Sequence, residues 1–472
     1  MRKYFAILAL LLLPLSMQAK EYTFATLAAI DGSGVTQKNG EYTLTPHSET
    51  ELTLDGGGIT VSGTELTINE GNSLKIIDGD VVKFAAKTRL NVNGDISAEV
   101  ENEAALTATG DGAETAEGIR VYCERAKARF ANVRFEYVGI SFGSAQGALI
   151  IDNCSFSNHN GKLSSNAVNF TAAGTGNSVT ETEFTGCYGG CIASGANTPV
   201  GITISNCEFT DNGTSERLLP AINLTCSGDN DIIITDNNVT GRGVVTRAGG
   251  IALGNLLSMA VNNTCTVSRN TVKNNSYGIT VTGAGNVRIT DNEITDNHFI
   301  SNPMSGGSGI NITNPYGTSH AVVSGNRISG HYWGITIIGA NDVNCGKTED
   351  PLAEDYNPGN NVFSDNGNGE AEYAKCDLAN NGTATVYAQG NTWSVAQQTP
   401  EQIETCIYHK TDNSSLGEVI FIPANDGSGV ESIIKDTDKA DTQQFNLLGQ
   451  PVSQDATGII ILSNGRKILK KK

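Results

Sequence analysis

Five cationic side chains recur at one place in a repeated pattern: Arg242 with Arg247, then Lys273, then His298, then His331. Each follows an Asn-x-apolar or apolar-x-apolar landmark and precedes a small-apolar-x-apolar stretch. They therefore occupy the same connecting segment of successive repeats; Asp211 and Arg217 hold it one repeat earlier. Repeats stacked about 4.8 Å apart place Arg242, Lys273, His298 and His331 along one groove. Such a strip attracts an anionic ligand, and an Arg, Lys or His within reach of an acidic C–H can take its proton. Tyr332 and Trp333 adjoin His331, and Tyr137 and Tyr277 recur near the same register. Their flat faces stack on a ligand or pack on the neighbouring repeat. Lys273, His331, Tyr332 and Trp333 are the candidate ligand contacts. Isolated solvated loop charges are the plainer account of the cations. A second cluster, Glu349, Asp350, Glu354 and Asp355, follows Cys345 in a long loop and carries enough oxygens for calcium. No EF-hand or nonapeptide calcium repeat accompanies it, so a solvated acidic loop is the favoured reading over a calcium site. No His lies at ligand spacing from the cysteines, which argues against a tetrahedral metal centre. No cofactor is required, and calcium is the one optional ion.

Something must hold those segments in line, and the sequence supplies it as a repeat. Asn237, Asn270, Asn292, Asn326, Asn361 and Asn391 each stand two residues before an apolar or aromatic side chain. Val133, Cys154, Thr182 and Cys207 take the same place before Phe135, Phe156, Phe184 and Phe209. Separations run from 21 to 35 residues. A short alternating strand precedes each landmark, as in Ile232-Ile233-Ile234. Another follows it, as in Gly250-Ile251-Ala252-Leu253, Gly278-Ile279-Thr280-Val281 and Gly309-Ile310-Asn311-Ile312. Three short strands of period two cannot bury their inward faces alone, but stacked as coils they close one narrow core. An inward Asn at the corner carries both a donor and an acceptor and tolerates left-handed backbone. The six asparagines are therefore expected to form an internal ladder. Cys154 and Cys207, in the same register, fit as stacked thiols, because interior Cys behaves as a small hydrophobe. Cys187 and Cys191 lie close enough in sequence to pair.

Composition agrees. Gly is 54 of 472 residues and aromatics only 6%, a mixture for short strands and tight turns. The fold class expected is all-β: a right-handed single-stranded parallel β-helix of at least ten coils with an internal Asn ladder, plus a small C-terminal β tail. Residues 1–19 read as an export leader, with Arg2 and Lys3 before the apolar run Phe5–Leu15 and Ala19 at the cleavage point. That run is too short to span a bilayer, and no transmembrane segment is expected. Residues 20–110 read as an N-terminal cap and first coils, 111–423 as the β-helix with its C-terminal cap, 424–443 as a linker and 444–472 as a β segment. The formal charge of −19 makes nucleic acid and anionic membrane poor partners. A secreted or surface-bound monomer is expected.

These coils resemble the pectin-lyase-like superfamily of right-handed parallel β-helices from about Thr43 to Pro423. The tail, with Gly449-Gln450, Gly458-Ile459 and Asn464-Gly465 before a basic end, resembles the C-terminal sorting segment of the type IX secretion class of Bacteroidetes. Members of that superfamily act on long polysaccharides lying along one sheet. The resemblance therefore implies a polysaccharide or cell-surface glycan as partner. Related lyases use Arg or Lys as base beside a uronate, often with calcium on the carboxylate. Carried to this chain, Arg247 or His298 is the candidate base and Arg242 the carboxylate clamp. The paired-Asp and Gly-His-Gly motifs of related hydrolases are absent. Two functions stay open: a polysaccharide-binding or adhesive scaffold, and a polysaccharide lyase acting on acidic glycans.

Overall fold

The computed structural model describes residues 24–29, 35–39, 41–44, 51–54, 65–68 and 70–425, with short gaps at 80, 85, 109–110, 216–218, 316, 340 and 368–374. It also describes the strands 444–445, 451–452, 458–462 and 467–470. The leader at 1–19, Arg217 and nearly all of the linker lie outside the described residues. Among the described residues no helix is long and apolar enough to cross a membrane.

The chain winds as a right-handed parallel β-helix. Its Gly-Ile strands form one parallel sheet of 13 strands, from Glu65–Ile68 to Ile407–Tyr408. The strands before and after the Asn corner belong together to a 25-stranded sheet. Register is set by the inward residues: Ile251 pairs with Ile279, Ile279 with Ile310, Ile310 with Ile335, and Ile335 with Leu378. All five are fully buried. A one-residue slip in any coil would turn its apolar set outward.

After the corner, Phe135, Phe156, Phe184 and Phe209 stack one above another, with ring centroids 4.3, 4.9 and 5.0 Å apart. Each stacked pair contributes about 0.5–1.5 kcal/mol beyond its buried area. Val239, Val272, Ile294 and Ile328 continue the column to Phe363, which stacks on Trp393 at 5.0 Å.

The corner repeats as a backbone device. Asp236, Arg269, Asp291, Gly325 and Asn360 each precede a ladder asparagine and each has φ between 54° and 70°. That left-handed residue turns the chain so the next side chain points inward. Asn237 donates its backbone N–H to Asn270 Oδ1 (3.0 Å), Asn270 to Asn292 (2.9 Å) and Asn292 to Asn326 (3.1 Å). Asn326 donates to Asn361 (3.1 Å) and Asn361 to Asn391 (2.9 Å). Each Nδ2 also donates to a main-chain carbonyl, for example Asn292 to Val267 O at 2.9 Å. Cys207 N–H opens the run on Asn237 Oδ1, and Thr182 Oγ1 accepts from Cys154 N–H in the same role.

The C-terminal end is closed by a helix at Pro400–Ile403, capped by the Thr399 hydroxyl, and a 3-10 turn at Glu404–Cys406. Contacts divide the chain into two compact units, Met1–Pro423 and Ala424–Lys472. The second unit contains a four-stranded antiparallel sheet, in which Gln444 pairs with Leu462 and Gly458 with Lys470.

Candidate functional site

A second corner follows each post-Asn strand, and it carries a ladder of its own. Asn158, Asp211, Asn274, Asp296, Gly330 and Asp365 are left-handed there, with φ from 53° to 72°. The next residues, His159, Asn212, Asn275, Asn297, His331 and Asn366, point inward. Asn275 N–H donates to Asn297 Oδ1 (3.1 Å), Asn297 N–H to His331 Nδ1 (3.1 Å) and His331 N–H to Asn366 Oδ1 (3.2 Å). His331 Nε2–H donates to Ile294 O at 3.0 Å. His331 is therefore an interior rung, 1% exposed, and does not line a groove. Its expected role as a ligand contact is corrected by this register: the inward corner takes the imidazole in place of an amide. Burial lowers its pKa to about 4, so the ring is neutral and protonated on Nε2.

Arg242 stands at this same register, three residues after Val239, as Asn275 follows Val272. It breaks the ladder. Arginine has no acceptor, so it cannot cap the Asn212 amide as Asn212 Oδ1 caps Cys187 N–H at 2.9 Å. Gly241, in the corner position, is not left-handed; Gly243 is, with φ 61°. Arg242 is exposed, and a small cavity remains at the missing rung between Asn212 and Asn275, walled by Phe209, Val239, Ala248 and Gly249. It has room for about one water molecule.

The chain freed there runs outside the solenoid as the loop 241–249. It exposes Arg242, Arg247, Val244 (46%) and Val245 (70%). Its course is fixed across the next coil: Gly243 N–H bonds Asn274 O (3.2 Å) and Thr246 N–H bonds Phe299 O (2.9 Å). Phe299 belongs to the second long loop on this flank, and its ring stacks on His298 at 4.9 Å. His298 also meets Tyr332 at 5.4 Å. The structure thus brings the Arg242–Arg247 loop together with the His298 loop.

His298 Nδ1 bonds the Gly330 carbonyl. A carbonyl only accepts, so Nδ1 carries a proton, and in the neutral ring the lone pair is then on Nε2. That is the tautomer a general base needs. Lys273 lies at an outward position of the strand Thr271–Lys273, between Thr240 and Thr295, and its carbonyl accepts from Gly241 N–H at the root of the first loop, at 2.8 Å. The aromatics are mainly packing. Tyr277 covers Gly249 and Tyr332 covers Gly307, where a side chain of any size would collide with the ring. Trp333 Nε1–H donates to Pro303 O at 2.9 Å and so secures the second loop.

The acidic loop does not converge. Glu349, Asp350, Glu354 and Asp355 are all exposed. Asp355 pairs with Lys347, whose ammonium holds its carboxyl below the usual range, and Asp350 Oδ1 accepts from Leu352 N–H at 2.9 Å. Among the described residues no three His, Cys, Asp or Glu side chains come together as metal ligands. The expected calcium cluster is corrected accordingly: Asp350 is taken by a loop amide and Asp355 by Lys347, and the four carboxylates do not come together.

The second ladder is absent from the sequence reading. Its rungs change type from coil to coil, which hides them. A usable signal exists: Asn, Asp or Gly followed by Asn or His, beginning two residues after the buried apolar side chain.

The family model for a right-handed β-helix region matches residues 115–294 and again 255–349. No curated protein sequence matches the chain. Among solved structures, the periplasmic alginate epimerase AlgG aligns over 85% of this chain and 83% of its own, at 12% identity and TM-score 0.42. Tailspike protein 3 of bacteriophage CBA120 aligns over 86% of this chain and 65% of its own, at 12% identity and TM-score 0.29. The tailspike of E. coli bacteriophage HK620, solved with a pentasaccharide, aligns over 84% and 77%, at 12% identity and TM-score 0.23. These likenesses concern the fold alone.

Proposed function

We propose that this chain, whose coils match the right-handed β-helix family, is a secreted or cell-surface scaffold that binds an anionic polysaccharide on the flank formed by loops 241–249 and 297–307. One observation carries the reading. From Asn212 to Asn366 every coil but one places an amide or an imidazole at the second corner, and the exception is Arg242. Giving up a buried hydrogen bond to present a cation is a local rule broken at a stability cost, and such places tend to be functional. The loop released there offers two arginines and two exposed valines beside the His298–Phe299 stack. In a chain of net charge −19, that cationic flank suits the carboxylates of an acidic glycan. The C-terminal segment fits an export route to the cell surface.

A lyase is the second reading, favoured by the His298 tautomer alone. In it Nε2 takes the proton beside a uronate, Arg242 clamps the carboxylate and Arg247 is the alternative base. The reaction moves no metal through the acidic loop.

Both readings meet one experiment. The protein is screened against anionic and neutral polysaccharides, with calcium and with chelator, following co-sedimentation, reducing ends and the ultraviolet absorbance of unsaturated uronate. Retention on anionic glycans without new absorbance is the expected result. The triple variant Arg242→Ala, Arg247→Ala, His298→Ala should weaken retention about tenfold or more, roughly 1.4 kcal/mol or above. Undiminished retention by that variant removes the site. New absorbance that the triple variant abolishes turns the scaffold into a lyase.

A further inference from the structure

The loop 241–249 sets hydrocarbon between two charges. It runs Arg242-Gly243-Val244-Val245-Thr246-Arg247, and both arginines and both valines are exposed, Val244 by 46% and Val245 by 70%. Single apolar residues scatter over any surface, but a clustered patch bounded by polar groups marks a contact. Slack chain does not explain the pair. Gly243 N–H is held by Asn274 O on one side of it, and Thr246 N–H by Phe299 O on the other. Thr246 also turns its hydroxyl back, where it accepts from Ala248 N–H at 3.2 Å. Between the arginines the loop therefore aims only methyl groups outward. Branched at Cβ, each valine is stiff at χ1, so little side-chain freedom is left to lose on contact. The patch continues on the second loop. A side chain on Gly243 would begin 3.9 Å from Phe299 Cζ, and one on Gly306 would begin 3.0 Å from Ile300 Cδ1. Phe299 and Ile300 are both half-buried.

We infer that the glycan taken on this flank is O-acylated: its carboxylates meet Arg242 and Arg247, and an ester-linked acyl group on a nearby hydroxyl packs on Val244, Val245 and the Phe299 ring. The inference rests on the anionic-glycan reading above and names the ligand within it. A bare polyuronate offers carboxylates and hydroxyls. The arginines match the carboxylates, but two exposed valines give the hydroxyls no hydrogen-bond partner. Acylating a hydroxyl removes a donor the valines cannot satisfy and adds a methyl group they can cover. It also leaves the carboxylate charged. A methyl ester on the carboxyl itself would add a similar apolar group and cancel the charge the arginines need. The loop is thus suited to tell where an ester sits on an acidic sugar. An anionic lipid surface is the poorer partner, because the net charge of −19 opposes it.

Polygalacturonate of one chain length is prepared untreated, chemically O-acetylated, and methyl-esterified on the carboxyl, and the Kd of the full chain is measured for each. The O-acetylated form should bind roughly four- to fifteenfold more tightly than the untreated one, the scale of one or two methyl groups leaving water. The methyl ester should bind more weakly than either. Val244→Thr with Val245→Thr keeps the branched shape and exchanges a methyl for a hydroxyl. It should erase the preference for the acetylated form, while Arg242→Ala with Arg247→Ala should weaken both forms alike. Equal affinity of the parent for the acetylated and untreated polymers, or a preference that survives in the valine variant, overturns the inference and leaves the anionic-glycan reading standing. Binding to none of the three forms removes that reading and the inference with it. Co-sedimentation with anionic phospholipid vesicles that the valine variant loses, without any preference for the acetylated polymer, makes the patch a membrane contact instead.

Discussion

The two corners of this solenoid solve one problem with different strictness. Each coil must turn twice inside a dry stack, and each turn leaves a main-chain N–H without a strand partner. At the first corner an asparagine supplies the acceptor from Asn237 to Asn391 without interruption. At the second the same bond is accepted by Asn212, Asn297, His331 and Asn366, with Arg242 standing where a rung is due. The first corner contains no titratable group in its six-asparagine run; the second contains a buried imidazole and a gap. The long loops 241–249 and 297–307 both leave from the second. One of these loops leaves at the gap beside Arg242 and the other just after the intact rung Asn297, so this flank carries much of the surface variety.

The comparison breaks most visibly in the middle of the strict ladder. Asn292 Oδ1 accepts from both the N–H (2.9 Å) and the Nδ2–H (3.0 Å) of Asn270, and its own Nδ2 donates to Val267 O and to Asn326 Oδ1, both at 2.9 Å. Asn292→Ala strands groups above, below and beside it. The cost should be about 3–5 kcal/mol, read from urea unfolding midpoints. Asn212→Ala, beside the existing gap, should cost roughly half as much. Equal losses at the two sites would mean that the ladders are energetically alike and that the gap relaxes nothing.

The next effect depends on pH. His331 and His159 both have pKa values lowered to about 4 by burial, from 6.5. The unfolded chain therefore binds more protons than the folded one between those values, and stability falls as pH drops from about 6.5 towards 4. Each histidine contributes on the order of 3 kcal/mol to that loss. His331→Asn keeps a rung, since Oδ1 can accept from Asn297 and Nδ2 can donate to Ile294. It should cost about 1 kcal/mol at pH 7 for the smaller side chain. Near pH 4.5 it should exceed the parent by about 1–2 kcal/mol. Parallel stability curves for the two proteins from pH 7 to 4.5 would remove His331 as the source of acid lability.

What the sequence made legible follows the same division. The strict corner repeats one residue type two places before an apolar side chain, so its ladder, the Phe135–Phe209 column and the Gly-Ile strands can be read directly. The lax corner mixes Cys187, Asn212, Arg242, Asn275, Asn297 and His331 at one register. No single residue type marks it, and the cation strip read across it combined two populations. Arg242, Arg247 and His298 do belong to the long loops. His331 belongs to the core, and Lys273 to a strand face. The distinction lies in the preceding residue's backbone: Asp296 and Gly330 are left-handed and Gly241 is not. Loop carboxylates such as Asp355 were illegible for another reason, since Lys347 claims it from within the same loop.

The smallest effect is the sharpest test of why the ladder fails at Arg242. Arg242→Asn restores an Oδ1 that can accept from Asn212 N–H, and an Nδ2 that can donate to Phe209 O as Asn212 Nδ2 donates to Phe184 O at 2.8 Å. The new side chain would also fill the cavity beside Asn275. A gain of about 1 kcal/mol is expected, together with weaker retention on anionic glycan. Opposite movement of stability and binding would show that the residue type alone sets the break. A variant that loses binding and gains no stability would place the break in the backbone of Gly241, held off the left-handed corner by the Thr246–Phe299 bond.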